Sequence, residues 1–163
     1  MSVKYHNIEK IINKLTEKNY TISFMESCSG GSIANAFTNI KGCSNVLKFS
    51  AVTYSSEGKI KLGVSPDTID KYSVYSTQVS KEMAKCITKY AHSNIGIGIT
   101  GNLNLVCEDG AKGGEVYITI YDKNTKHFTT KVINIKSKDR QKGKDAIINF
   151  ITADLMKLLD IYE

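Results

Sequence analysis

Ser44, Tyr54 and Lys59 fall in one stretch, GCSNVLKFSAVTYSSEGK from Gly42 to Lys59, with no histidine near them. A serine hydroxyl becomes a nucleophile only beside a base. Where histidine is missing, a lysine amine can take that part if burial or a neighbouring cation brings its pKa toward neutrality. Ser-Lys pairs are known variants of the Ser-His-Asp arrangement, and a tyrosine hydroxyl such as that of Tyr54 can relay or donate a proton. The apolar run from Val46 to Val52, broken by Lys48 and Ser50, predicts a largely buried strand. Gly42 and Ser44 then lie in the turn before it and SSEGK lies after it, so Ser44 and Lys59 sit in loops or at element ends, where reactive groups gather. The same residues also fit a plainer reading, in which Ser44 caps a turn, Tyr54 is a core residue with a wet hydroxyl and Lys59 is one more surface lysine.

A second candidate is ESCSGG, from Glu26 to Gly31. Backbone N–H groups at the start of a helix, freed by Gly30 and Gly31, could cradle a phosphate or a carboxylate. The segment is neither a Walker loop nor a dinucleotide fingerprint, and taken alone it reads rather as a tight strand-to-helix turn capped by Ser29. Cys28 would be a stabilised thiolate at such a helix start, but the sequence places no histidine beside it.

These groups must be positioned by a chain of 163 residues, which fits a single domain over 1–163 with enough length for one substantial core. Hydrophobic content of 41% and charged content of 23% are those of an ordinary soluble protein. No apolar run approaches the ~20 residues of a membrane helix, and Met1 to Tyr20 interleaves its Ile and Leu with Lys, Glu and Asn, unlike a signal peptide. A cytoplasmic location without membrane partners is expected. Cys28, Cys43, Cys86 and Cys107 form no C-x-x-C pair, and His6, His92 and His127 stand apart, so no metal site or disulfide framework is expected. The net charge of +6 is spread along the chain apart from one run, Lys136, Lys138, Arg140, Lys142 and Lys144. That dispersal argues for an anionic small molecule over nucleic acid as partner.

Periodicity supplies the elements. Ile8, Ile11, Ile12 and Leu15 predict a helix over Val3 to Lys18, followed by the strand TISFM and a helix from Ser32 to Ile40. Ser65 and Pro66 open another helix, and Val79, Met83, Ala84 and Ile87 mark one face of a helix from Thr77 to His92. In NIGIGIT, Gly96 and Gly98 alternate with isoleucines and would let another element approach closely. GEVYITIY and HFTTKVINI form a hairpin about DKNTK, and a helix from Lys138 to Leu159 closes the chain. The alternation predicts an α/β protein, a three-layer α/β/α sandwich with a mostly parallel mixed sheet of about five strands. Ligands in such sheets collect beyond the carboxyl ends of the strands, which places Glu26 to Gly31, Tyr54 to Lys59 and Thr100 to Asn102 on one rim.

The order of ESCSGG, GCS at Gly42 to Ser44, VTYSSEGK at Val52 to Lys59, LGVSPDTI at Leu62 to Ile69, IGITG up to Gly101 and KDR at Lys138 to Arg140 closely resembles the CinA C-terminal domain family. That family includes the nicotinamide-mononucleotide deamidases. The resemblance covers almost the whole chain and implies an amidohydrolase that converts nicotinamide mononucleotide to nicotinate mononucleotide and ammonia, with no metal or organic cofactor. It also makes a homo-oligomer plausible.

By the same resemblance Ser44 is the nucleophile, Lys59 its base and Tyr54 an assisting hydroxyl, with the Gly42 to Ser44 turn holding the oxyanion. Ser29, Gly30, Gly31, Thr100 and Arg140 become substrate contacts, the Gly30-Gly31 turn or Arg140 taking the 5′-phosphate. The chain departs from the family between Ile99 and Ile118, where ITGNLNLVCEDGAKGGEVYI replaces the usual IAGP element and its glycines. Asn102, Leu103, Asn104 and Leu105 there predict a reshaped or closed pocket wall. The alternative to an enzyme is therefore a diverged member that binds a nucleotide or a protein partner without turnover.

Overall fold

The computed structural model describes residues 3–104 and 113–162. Helix α1 spans Val3–Glu17 and buries Ile8, Ile11, Ile12 and Leu15 along one face, as their spacing predicts. It ends where Asn19 turns left-handed and the Tyr20 N–H reaches back to the Leu15 carbonyl. Strand β1, Ile22–Glu26, is buried at every residue. After it come α2 (Ser32–Thr38), the four-residue α3 (Cys43–Val46), β2 (Leu47–Val52), α4 (Ser56–Lys61), α5 (Pro66–Tyr72) and α6 (Thr77–Ala91). The chain continues through β3 (Ile95–Gly101), β4 (Glu115–Asp122), β5 (His127–Asn134) and α7 (Arg140–Leu158). The short helices α3 and α4 fall where the sequence predicts loop, because four to six residues carry too little period to be seen.

The sheet has the order β2-β1-β3-β4-β5. β1 pairs parallel with both β2 and β3, while β4 runs antiparallel to β3 and to β5, so only β4 opposes the rest. One face carries Phe24, Ile95, Ile97, Ile99, Ile118 and Ile120 against α1, α2 and α7. The other carries Met25, Phe49 and Ala51 against α5 and α6. The expected three layers follow.

α6 lies directly on β3, and it does so because Gly96 and Gly98 face it. A Cβ on Gly98 would run into the Ser80 carbonyl oxygen and stand 2.6 Å from the Ala84 nitrogen. Since both contacts are backbone, nothing there can yield without moving the helix. Gly98→Ala is expected to cost roughly 2 kcal/mol or more in urea unfolding. Gly58→Ala, whose added carbon would find only ordinary contacts from 3.4 Å outward, should be neutral or stabilise by about 0.5–1 kcal/mol. Equal losses from the two would contradict the close approach of α6 to β3.

Candidate active site

Because β1 and β2 are parallel and in register from Ser23 and Phe49 to Glu26 and Val52, the segments leaving their carboxyl ends emerge side by side. The pairing runs one residue past the strands, with the Thr53 N–H donating to the Glu26 carbonyl at 2.8 Å. Ser55 then caps α4 by accepting from the Gly58 N–H at 3.0 Å. That short helix turns the Lys59 side chain inward beneath the strand ends, where it is 1% exposed.

The Lys59 Nζ donates to the Thr53 carbonyl at 2.6 Å and lies 2.9 Å from the Oγ of Ser27, the first residue after β1. Ser27 is 7% exposed. No carboxylate of the described residues forms an ion pair with Lys59. Burial therefore pushes the ammonium below its ordinary pKa of 10.5, opposed only by the charge of Cys28. That opposition is absent at neutral pH, since burial pushes the Cys28 thiol up to about 12. Cys28 is thus an uncharged wall residue and no nucleophile.

Glu26 sets the turn that carries Ser27. Its carboxylate is fully buried and accepts from the Ser29 hydroxyl at 2.6 Å and from the N–H groups of Gly31 (3.0 Å), Ile33 (3.3 Å) and Ala34 (2.9 Å). The anion at the start of α2 is therefore supplied by the chain itself, from a residue six positions before the helix begins. The Gly30 N–H goes to the Ser27 carbonyl and the Ser32 N–H to the Ser29 carbonyl. Ser29, Gly30 and Gly31, expected to touch substrate, instead spend these groups inside the protein. Gly31, with φ of 89°, precedes α2 without a side-chain cap.

A cavity of about 630 Å³ opens over this pair, lined by Ser27, Cys28, Tyr54, Lys59, Tyr75, Asn102 to Asn104 and Arg140. Its walls come from the carboxyl ends of β1, β2 and β3, the crevice beside β1 where the strand order reverses. Tyr54 lines the mouth at 67% exposure, without a hydrogen bond to Ser27 or Lys59. Arg140, the first residue of α7, donates to the Asn104 Oδ1 at 2.8 Å. Thr100 stands behind the wall, fully buried and donating to the Val74 carbonyl at 2.9 Å. Asn102 to Asn104 of the divergent loop line the cavity, while 105–112 lie outside the described residues. Among the described residues no group of His, Cys, Asp and Glu could hold a metal ion, and no helix is long and apolar enough to cross a membrane.

Ser44 is not in this site. It lies in α3, before β2, and lines a separate hollow with Gly42, Cys43 and Leu47. Lys59 follows β2, so a six-residue strand stands between them, about 20 Å at ~3.3 Å per residue. The pairing of Ser44 with Lys59, and the oxyanion role of the Gly42 to Ser44 turn, are corrected accordingly. Ser27 was legible as the residue that follows an interior parallel strand, on the rim where ligands collect.

The CinA C-terminal domain profile matches residues 5–159. A CinA-like protein of Flavobacterium psychrophilum is 45% identical over 116 residues, 69% of this chain and 28% of its own. A relative from Alkaliphilus oremlandii, named for competence-damage inducibility, is 48% identical over 97 residues, 58% of this chain and 24% of its own. The chain thus spans about a quarter of the length of these curated relatives. Among solved structures, a competence/damage inducible protein of Agrobacterium tumefaciens superposes with a TM-score of 0.89 at 25% identity, covering 97% of this chain and 99% of that one. One from Enterobacter asburiae does so with a TM-score of 0.89 at 26% identity, covering 98% and 99%.

Two outcomes test this geometry. Glu26→Ala should lose roughly 3 kcal/mol or more of stability, because it strands four donors together; a loss under about 1 kcal/mol would mean the carboxylate does not hold the turn. Because the Lys59 pKa is lower folded than unfolded, the unfolded chain binds more protons between the two values, and stability rises with pH across that window. Urea midpoints of wild type and Lys59→Met from pH 7 to 10 should therefore diverge, only the wild type showing this added rise. Parallel curves would show that Lys59 keeps an ordinary pKa.

Proposed function

The chain belongs to the CinA C-terminal domain family, and from that premise we propose that it is an amidohydrolase acting on nicotinamide mononucleotide, with Ser27 as nucleophile and Lys59 as its base. The observation that carries this reading is the 2.9 Å contact between the Ser27 hydroxyl and a buried lysine that has no ion pair among the described residues. As a neutral amine Lys59 has one lone pair, and the Thr53 carbonyl, by holding one N–H, leaves that pair free to face Ser27.

In the first half-reaction Ser27 Oγ attacks the carboxamide carbon while its proton passes to Lys59. Collapse of the tetrahedral adduct returns that proton to the departing nitrogen, and ammonia leaves an acyl ester on Ser27. Water then attacks the ester with Lys59 again as base, releasing nicotinate mononucleotide and restoring the serine. Among the described residues the N–H of Cys28, directly after the nucleophile, donates to no backbone carbonyl and meets its own thiol, a weak acceptor that an oxyanion would displace. Tyr54 at the mouth can lie over the cationic pyridinium ring. Arg140 supplies a cation for the phosphate, and a cavity of this size accepts a mononucleotide.

Ammonia release from nicotinamide mononucleotide should fall by about a thousandfold or more in Ser27→Ala and stay within about twofold in Ser44→Ala. The wild-type kcat/KM should climb with pH on a limb set by Lys59, below 10.5. Equal activity in wild type and Ser27→Ala would overturn the mechanism. Nucleotide binding without turnover in wild type would favour the non-catalytic alternative.

A further inference from the structure

The phosphate of a bound mononucleotide needs a partner, and the start of α2 does not offer one. The N–H groups of Gly31, Ile33 and Ala34 are spent on Glu26, and those of Gly30 and Ser32 on nearby carbonyls. A carboxylate beneath the turn would moreover repel a dianion. Attraction has to come from side chains, and α7 brings two of them to this rim.

α7 is held close by Gly143, whose missing side chain makes room for Ile135 and Leu103; an added Cβ would stand 3.1 Å from the Ile135 Cγ2 and 3.4 Å from the Leu103 Cδ2. Arg140 at its first position lines the cavity. Lys144, four residues on, shares its helix face. Lys144 is half-buried, and its Nζ lies beside Gly30 in the turn that carries Ser27, 3.3 Å from where a Gly30 side chain would begin. Among the described residues neither cation is in an ion pair, and Lys144 makes no hydrogen bond. Asn104 fixes Arg140, and Gly30 leaves Lys144 the space it occupies.

Resting on the nucleotide amidase reading, we infer that Lys144 and Arg140 form a two-cation clamp for the substrate's phosphate, with Lys144 setting the preference for phosphorylated over unphosphorylated ligand. The guanidinium gives directed bonds and the ammonium a mobile point charge that closes the clamp from the turn side. Lys142, two residues before Lys144 and exposed, lies off this face and takes no part.

The test compares nicotinamide mononucleotide with nicotinamide riboside, which differ by the phosphate. Lys144→Met should raise KM for the mononucleotide roughly tenfold with kcat little changed. It should leave the riboside unaffected, and Lys144→Arg should retain the wild-type ratio. Unchanged discrimination in Lys144→Met, or an equal loss in Lys142→Met, would overturn the clamp while leaving the amidase standing. Calorimetry on the Ser27→Ala protein separates the two readings. If wild type does not turn over, yet the Ser27→Ala protein binds the mononucleotide more tightly than the riboside through Lys144, the clamp holds and the amidase falls. Equal affinity for the two ligands would overturn the clamp.

Discussion

Everything at this site depends on one buried amine. Lys59 is placed under the ends of β1 and β2 with a carbonyl and a hydroxyl for company and, among the described residues, no carboxylate paired with it. Keeping an ammonium charged in such a place costs several kcal/mol. Removing the proton from an ordinary lysine at pH 7 takes about 5 kcal/mol. The first penalty works against the second, so burial moves Lys59 below its ordinary pKa and toward the neutral form that a base requires. A carboxylate paired with Lys59 would raise its pKa again, and the fold directs Glu26, the residue before Ser27, into the start of α2 instead.

Glu26 thereby links stability to chemistry. A carboxylate gathering four donors fixes the turn from Ser27 to Ala34, so the serine is presented to the amine by backbone that cannot easily drift. The same arrangement uses up the helix N-terminus as an anion site, and in the proposed clamp the work of holding a phosphate passes to cations arriving on α7. Gly143 and Gly30 are the two places where the absence of a side chain lets that helix and its lysine come near.

Much of this was legible in the sequence, for identifiable reasons. The isoleucines of α1, the face of α6 and the alternation of Gly96 and Gly98 with isoleucine carry periods that only one structure satisfies. Ser65 and Pro66 start α5 as their types require, the Ser65 Oγ accepting from the Thr68 N–H at 3.4 Å. The rim shared by the segments after β1, β2 and β3 followed from strand direction alone. Strand direction also excludes Ser44, which precedes the strand that Lys59 follows. Its spacing to Lys59 along the chain suggested a pair that a strand's length keeps apart. The inward turn of Lys59 was hidden because α4 is too short to show a period. Ser29 and the two glycines suggested an external anion because nothing in one dimension tells that Glu26, five residues before Gly31, folds back to occupy the place.

The central claim is that burial holds Lys59 below its ordinary pKa so that it can act as the base for Ser27, and the direct measurement is a pH titration of its Nζ and Cε resonances by NMR, assigned with Lys59→Arg. A midpoint well below the ordinary 10.5 is the predicted result. A midpoint at or above that value would mean a permanently charged ammonium beside Ser27, and would contradict the assignment of Lys59 as the base.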